Sequence, residues 1–402
     1  MTVTVTPSTA RGKVLAPPSK SMAHRALICA ALSGQSVISS LAFSKDIEAT
    51  LGCLKALGAA CRIDGSTATL GGLDVDNIPE NASLFCNESG STLRFLIPLC
   101  MCAGKPVTLG GAKRLFERPL TVYEDIAKAQ GITFTKSDTS LTVCGNLKSG
   151  QYYIPGDISS QFISGMLFAL PLLCDDSILT VTGRFESASY IDLTLAALSD
   201  FGIKIKRDGN VFYIKGNQSY KSHNYTVEGD CSNAAFLEAF NYLGGEVEVG
   251  GLKDDTLQGD RVYKSIFEGI KSNGGPFDLS DCPDLAPVCF ALAACLGGAE
   301  FTGTARLRIK ESDRAAAMAQ ELKKFGIEVC VFDNSVTVKG GKLVAPCEPL
   351  YSHNDHRIAM SLTLLCSKVG GTVTCAEAVS KSYPDFYEVL KALQIGLVIN
   401  EN

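Results

Sequence analysis

The sequence predicts an α/β protein of the α+β kind, two domains built from six copies of one unit, and three observations carry that expectation. Its 402 residues are 46% hydrophobic and 20% charged, enough apolar material for about two cores and too little charge for a disordered chain. Gly58, Gly131, Gly202, Gly274, Gly326 and Gly396 each end a helical-looking segment, at intervals of 73, 71, 72, 52 and 70 residues. Between them runs a second set of apolar helical segments, each opening on a polar cluster.

Within a repeat, the glycine-ended helix leads into a hairpin. Gly58 and Gly72, Gly131 and Gly145, Gly202 and Gly216, and Gly326 and Gly340 are each 14 residues apart. Between each pair lies a turn pair: Asp64-Gly65, Ser137-Asp138, Asp208-Gly209 or Asp333-Asn334. This spacing predicts a left-handed glycine after each helix and then two antiparallel strands. After Gly274 the segment Pro276-Phe-Asp-Leu-Ser280 leaves no room for such a hairpin, which accounts for the short interval. The sixth unit runs out at Asn402, and the strand-like Val3 to Val5 is expected to complete it, placing both termini in one domain. The natural grouping is residues 18–227 for repeats one to three, and 1–17 with 228–402 for repeats four to six, with a cleft between the two domains.

The polar openings are Pro18-Ser-Lys-Ser21, Glu88-Ser-Gly-Ser91, Asp157 to Gln161, Gly229 to Asn233, Asp281-Cys-Pro-Asp284 and Asn354-Asp-His-Arg357. Taken singly, Ser, Asp and Asn here are ordinary N-caps. Capping does not explain Lys20, Arg25, Arg94 and Arg357, because positive charge near a helix N-terminus opposes the macrodipole unless something negative lies in front. Further cations gather at Arg118, at Arg308, Lys310 and Arg314, and at Lys381. At an effective dielectric near 20, a cation about 4 Å from an anionic oxygen contributes on the order of 4 kcal/mol before desolvation. A small ligand bearing phosphates and carboxylates would use this many donors. Asp284, beside Pro283 at a helix entrance, and Glu311, after Lys310, are the candidate proton carriers; as alternatives, Asp284 is an N-cap or first-turn acid and Glu311 an ion-pair partner of Arg314 at i+3.

Composition narrows the classes further. A net charge of −5 lacks the basic footprint of a nucleic-acid binder. None of the sixteen cysteines forms a Cys-x-x-Cys pair, and Cys29, Cys174, Cys289 and Cys366 sit in apolar runs as small buried hydrophobes. A reducing, cytoplasmic setting is expected, without disulfides or zinc. The start Met1-Thr-Val-Thr-Val-Thr6 alternates like a strand, and the longest apolar runs, Phe162 to Cys174 and Ala286 to Cys295, are shorter than a membrane span. His353 and His356, three apart, are weak as a metal pair, and no metal is expected. No phosphate-binding Gly-x-x-x-x-Gly-Lys loop or dinucleotide fingerprint occurs.

Several motifs together resemble one family: Pro18-Ser-Lys-Ser-Met-Ala-His-Arg25, Glu88-Ser-Gly-Ser-Thr-Leu-Arg94, Glu117-Arg-Pro119, Ser159-Ser-Gln161, Tyr190-Ile-Asp192, Pro283-Asp284, Lys310-Glu-Ser-Asp-Arg314, Asp355-His-Arg-Ile-Ala-Met360 and Lys381-Ser-Tyr-Pro-Asp385. The ordered set, spanning nearly the whole chain, is similar to the 5-enolpyruvylshikimate-3-phosphate synthases. The resemblance implies the two-domain enolpyruvyl transferase fold: six βαβαββ repeats, three per domain, with an interdomain cleft and a chain that crosses twice at a hinge. It implies transfer of the enolpyruvyl group of phosphoenolpyruvate to the 5-hydroxyl of shikimate 3-phosphate, with release of phosphate, on the route to chorismate and the aromatic amino acids. By motif, Lys20 would touch both substrates. Ser21, Arg25, Ser159, Ser160, Ser187, Tyr190, Asp284 and Lys310 would hold shikimate 3-phosphate. Gly90, Arg118, Gln161, Arg314, Arg357 and Lys381 would hold phosphoenolpyruvate. Asp284 would take the hydroxyl proton, and Glu311 with Lys20 would manage the proton at the methylene carbon. No cofactor, nucleic acid or membrane is implied, and a monomer is expected. The chain departs from the family pattern at Glu88 and Ser91, where Asn and Thr are frequent nearby, and at Arg306, where some members carry a substrate-contacting Asn. Two rivals remain: enolpyruvyl transfer to a UDP-amino sugar, which would need a Gly-Ala-Lys-Asn-like start, and a non-catalytic repeat clamp, which would need cations spread along helix faces.

Overall fold

Twelve helices of seven or more residues, among residues 1–401 described by the computed structural model, fall into six pairs. The first of each pair opens on a polar cluster: α1 Lys20–Leu32, α3 Gly90–Cys102, α5 Ser160–Ala169, α7 Cys231–Tyr242, α9 Ala286–Leu296 and α11 His356–Val369. The second members are α2 Lys45–Ala56, α4 Thr121–Gln130, α6 Ala188–Asp200, α8 Tyr263–Ser272, α10 Arg314–Lys324 and α12 Phe386–Ala392. The odd-numbered helices are apolar almost all round; in α9 every residue from Ala286 to Ala294 is buried. Four of them take the ordinary cap that their sequence offers, Ser89, Ser159, Asp230 and Asp355 each accepting a backbone N–H from the first turn.

Each pair feeds a small sheet. In the second repeat Ala82–Phe85 runs parallel to Val107–Gly110, the geometry that a crossover helix requires, and the hairpin Thr133–Lys136 with Ser140–Cys144 adds two antiparallel strands. Repeats one, three and five share this order. All four 14-residue glycine spacings enclose a hairpin. Gly58, Gly131, Gly202, Gly274 and Gly326 have φ between +68° and +107°, the left-handed geometry expected after a helix. The sixth repeat differs: the left-handed residue after α12 is Gln394 (φ +67°), and Gly396 serves a close approach instead, since a Cβ there would lie 2.2 Å from Thr6 Oγ1.

The N-terminal segment fills two vacancies. Thr2–Val5 is inserted between Gly371–Thr374 and Leu397–Asn400, antiparallel to both, and completes the sixth sheet as the sequence suggests. Arg11–Leu15 pairs in parallel with Glu246–Gly250 and supplies the first strand of repeat four, which has no hairpin. The chain divides into two compact units, Met1–Pro17 with Gly229–Asn402 and Pro18–Glu228. Each has its own continuous apolar core.

Cys29, Cys289 and Cys366 are buried, but Cys174 is exposed, contrary to its place in an apolar run. The helix gives way at Leu170-Pro-Leu172 to a 3-10 turn, and Cys174 falls beyond it on the way to the next strand. All sixteen cysteines are free thiols. Among the described residues no helix is long and apolar enough to cross a membrane.

Candidate active site

In the unit Pro18–Glu228, polar side chains join the helix starts. Lys20 opens α1 and its Nζ lies 2.8 Å from Asp46 Oδ2 in the first turn of α2. One turn further, buried Arg25 donates through Nε to Thr194 Oγ1 (2.8 Å), through Nη1 to the Ser21 carbonyl (2.7 Å) and through Nη2 to the Tyr190 carbonyl (2.9 Å). These bonds use three of the five guanidinium N–H groups. The plane lies 5.1 Å from the Phe95 ring centre. Burial pushes the Arg25 pKa down to about 10, against the opposing pull of Tyr190. Ser187 precedes α6 in the left-handed region (φ +56°), a costly conformation for serine; it is buried, and its carbonyl accepts the Tyr190 N–H.

A second cluster surrounds the start of α3. Arg94 Nη1 donates to Gln161 Oε1 (3.0 Å), Gln161 Nε2 donates to Ser91 Oγ (3.0 Å), and Arg94 Nη2 donates to the Pro119 carbonyl (3.2 Å). Gly90 lies under two guanidinium groups: a Cβ there would sit 2.6 Å from Arg118 Nη1 and 2.9 Å from Arg94 Nη1. A side chain at position 90 would push both guanidinium groups out of these places. Ser159 caps α5, whose first residue is Ser160.

In the other unit the convergence is tighter. Asp284, in the 3-10 turn Pro283–Leu285 that leads into α9, holds three cations: Oδ1 is 3.2 Å from Lys310 Nζ and 2.8 Å from Arg314 Nη1, and Oδ2 is 2.8 Å from Arg357 Nη2. Arg314, 1% exposed, also donates through Nε to Asp355 Oδ2 (2.9 Å) and through Nη2 to Glu311 Oε2 (2.9 Å). Asp355 receives Ser312 Oγ (3.0 Å) and the Arg357 N–H (2.9 Å). Carboxylates thus answer the cations at these two helix starts: Asp355, itself buried, and Asp284 face the Arg314 guanidinium at the start of α10, and Asp284 faces that of Arg357 in the first turn of α11. Lys381 Nζ donates to the Asn354 carbonyl.

Burial opposes ionisation of Asp284, but the charges of Arg357, Lys310 and Arg314 outweigh it and hold the carboxyl well below the ordinary range. Burial lowers the Lys310 pKa, against the pull of Asp284. Arg314 stays protonated, because Asp355, Glu311 and Asp284 together overcome its desolvation. Nearby Asp260, bonded by Ser232 Oγ, behaves oppositely: burial, then repulsion from Asp284, push its pKa up to about 7.

The sequence-derived residues thus fall into three clusters: Arg25 with Ser21 and Tyr190; Gly90 with Arg118 and Gln161; and Asp284 with Lys310, Glu311, Arg314 and Arg357. Glu311 does make the i+3 ion pair with Arg314. Asp284 does not cap its helix by side chain, but it is an acid of the first turn, in the 3-10 segment Pro283–Leu285, and from there it binds cations. Arg118 follows the short helix Lys113–Glu117, and Pro119 stands two residues before α4. Arg306, at the departure from the family pattern, is buried and donates to the Ser280 carbonyl. Sequence reasoning missed Asp46 and Asp260, which the structure sets beside Lys20 and within the field of Asp284. An acid in the first turn of a helix reads as ordinary dipole complement, and nothing in the spacing singled them out. Among the described residues, no group of three or more His, Cys, Asp or Glu is arranged to hold a metal ion.

Comparison with known proteins defines the class first. The structure is similar over 99% of its length to all of an EPSP synthase of Acinetobacter baumannii (TM-score 0.80, 23% identity). It is also similar, again over 99% of its length and 98% of the other chain, to the enolpyruvyl transferase NikO of Streptomyces tendae (TM-score 0.74, 16% identity). The fold is the two-domain enolpyruvyl transferase fold. Residues 5–390 match the family described as EPSP synthase (3-phosphoshikimate 1-carboxyvinyltransferase). The 3-phosphoshikimate 1-carboxyvinyltransferases of Clostridium perfringens and Clostridium acetobutylicum are 42% and 40% identical to it, each over 97% of this chain and 97% or more of their own. The chain belongs to the EPSP synthase family.

Proposed function

We infer that this chain is a 3-phosphoshikimate 1-carboxyvinyltransferase, transferring the enolpyruvyl group of phosphoenolpyruvate to the 5-hydroxyl of shikimate 3-phosphate with release of phosphate, in the shikimate pathway. The observation that carries the reading is the carboxylate of Asp284 gripped by Lys310, Arg314 and Arg357, in a chain whose relatives share both name and length. Shikimate 3-phosphate is assigned to Lys20, Ser21, Arg25, Ser159, Ser160, Ser187, Tyr190, Asp284 and Lys310. Phosphoenolpyruvate is assigned to Lys20, Gly90, Arg118, Gln161, Arg314, Arg357 and Lys381.

Asp284 takes the proton of the 5-hydroxyl as its oxygen bonds to C2 of phosphoenolpyruvate, while the C3 methylene gains a proton from Glu311 or Lys20. Return of a C3 proton to Glu311 or Lys20 then restores the double bond as the C–O bond to phosphate breaks. Cations stabilise the leaving phosphate, and no cofactor takes part. The ion pairs support a specific order of events. An incoming carboxylate or phosphate competes with Asp284 for Arg357 and Arg314, and each cation diverted removes a charge that keeps Asp284 weakly basic. Anion binding therefore strengthens the base at the moment it is needed.

The sixteen free thiols support work in a reducing cytoplasm, and action as a monomer belongs to the same proposal. Purified protein given phosphoenolpyruvate is expected to release phosphate only when shikimate 3-phosphate is added. Absence of release with both substrates, or release with a UDP-amino sugar instead, defeats the assignment.

A further inference from the structure

We propose that Thr50, on a helix outside every motif discussed above, is a positioning residue: it closes a one-way hydrogen-bonded chain from His24 to Ser89 that fixes the starts of α1 and α3 against each other. Helices α1 and α2 are joined by two rungs. Lys20 and His24 lie one turn apart on α1, and Asp46 and Thr50 lie one turn apart on α2, so each pair shares a face. The first rung is the ion pair of Lys20 with Asp46. The second is His24 Nδ1 to Thr50 Oγ1 at 2.8 Å. That rung continues into α3, with Thr50 Oγ1 2.6 Å from Thr92 Oγ1 and Thr92 Oγ1 2.7 Å from Ser89 Oγ, all of it buried.

The direction of the chain follows from counting protons. A hydroxyl has one hydrogen to donate. Thr92 gives its hydrogen to Ser89, so it must receive from Thr50. Thr50 has then spent its own hydrogen and must receive from His24, which therefore carries a hydrogen on Nδ1. Burial, reinforced by the charges of Lys20 and Arg25, keeps the imidazole neutral, so Nε2 is a bare acceptor. Nε2 has no hydrogen-bond partner. The opposite tautomer would reverse the chain and bury an orphan N–H in the same place, the rarer and costlier arrangement. Ser89 Oγ also accepts the Thr92 backbone N–H at 3.2 Å. Both its lone pairs are engaged, so the Ser89 hydroxyl can only donate, and it stands next to Gly90 at the start of α3.

Thr50 touches neither proposed substrate contact; it acts through His24 and Thr92. The kinetic half of the test rests on the reaction proposed above, and the spectroscopic half does not. In protein labelled with 15N-histidine, the His24 signal, assigned by its loss in His24→Gln, should show the neutral tautomer protonated at Nδ1. Thr50→Val keeps the shape and removes the hydroxyl. It should shift the His24 Nδ1 resonance and raise the KM for phosphoenolpyruvate about fivefold or more, with a smaller change in kcat, as for displaced substrate-holding groups. Thr50→Ser should restore both. A His24 protonated at Nε2 in the unaltered protein overturns the proposal whether or not the enzyme turns over. So does Thr50→Val with the KM of the parent, or failure of Thr50→Ser to rescue.

Discussion

Two buried acids a short way apart in one unit are pushed in opposite directions, and the difference lies in what each touches. Asp284 meets three cations within 3.2 Å, whereas Asp260 meets a serine hydroxyl and the repulsion of Asp284 itself. The proposed base is therefore ionised at every working pH, and replacing it tests its role cleanly. Asp284→Ala leaves Lys310, Arg314 and Arg357 for anions, so phosphoenolpyruvate binding measured by titration should be kept while kcat falls about 10²-fold, as for loss of a positioned base. A kcat equal to that of the parent would remove Asp284 from the chemistry. Asp260 gives a prediction about pH. Its folded pKa of about 7 lies above the roughly 3.9 of an unfolded aspartate. Between about pH 4 and 7 the folded chain thus holds a proton that the unfolded chain has lost, and this group makes stability fall as pH rises through that window. Asp260→Asn keeps an acceptor for Ser232 and removes the titration. Its Tm should gain steadily on the parent from pH 4 to 7, on the order of a few kcal/mol in stability, and parallel Tm curves would refute the shift.

At the scale of elements, the site depends on helices brought unusually close. Helices α3 and α5 meet at Gly165, where a Cβ would lie 2.4 Å from the Arg94 carbonyl and 2.2 Å from the Tyr123 hydroxyl. Tyr123, from α4, donates at this junction with the Arg94 carbonyl at 2.8 Å and the Phe162 carbonyl at 3.1 Å. Arg94 and Gln161 are neighbours because this crossing is tight. Gly165→Ala must push backbone apart, and we expect a loss of about 1–3 kcal/mol in denaturant unfolding. A raised KM for phosphoenolpyruvate should accompany it, as Gln161 moves away from Arg94. Wild-type stability in that variant would mean that the junction yields freely. The polar openings of these helices were legible in the sequence because caps and apolar runs are local. The partners of the cations were not. Asp355 stands 41 residues from Arg314, and Asp46 stands 26 from Lys20, so each pairing exists only once the helices have packed.

Across the whole molecule, the repeat could be read from glycine spacing because each unit must end its second helix and turn its hairpin in the same few residues. Where the repeat is imperfect the reading was partial. The short interval after Gly274 announced a missing hairpin, but not that Arg11–Leu15 would pair there, since a lone parallel strand has no local turn to betray it. The spacing alone makes Gly396 a helix end, whereas tight contact with Thr6 explains that glycine. Both cases trace to the N-terminal segment, which completes two sheets of a unit otherwise made from the other end of the chain. The consequence is measurable. A chain beginning at Thr9 loses the strand between Gly371–Thr374 and Leu397–Asn400 and, with it, the fully buried Val3 and Val5. Burial of those two side chains contributes roughly 3–6 kcal/mol. Leu397–Asn400 pairs with no other strand, so its backbone would have no ladder at all. Hydrogen exchange should show protection lost at residues 397–400, reduced at 371–374, which keep only their pairing with Leu350–Tyr351, and weakened through the apolar core of that unit. The core of Pro18–Glu228, which contains no residue of the deleted segment, should keep its slow amides. Equal loss in both units, or none in either, would show that the first strand does not hold its sheet together.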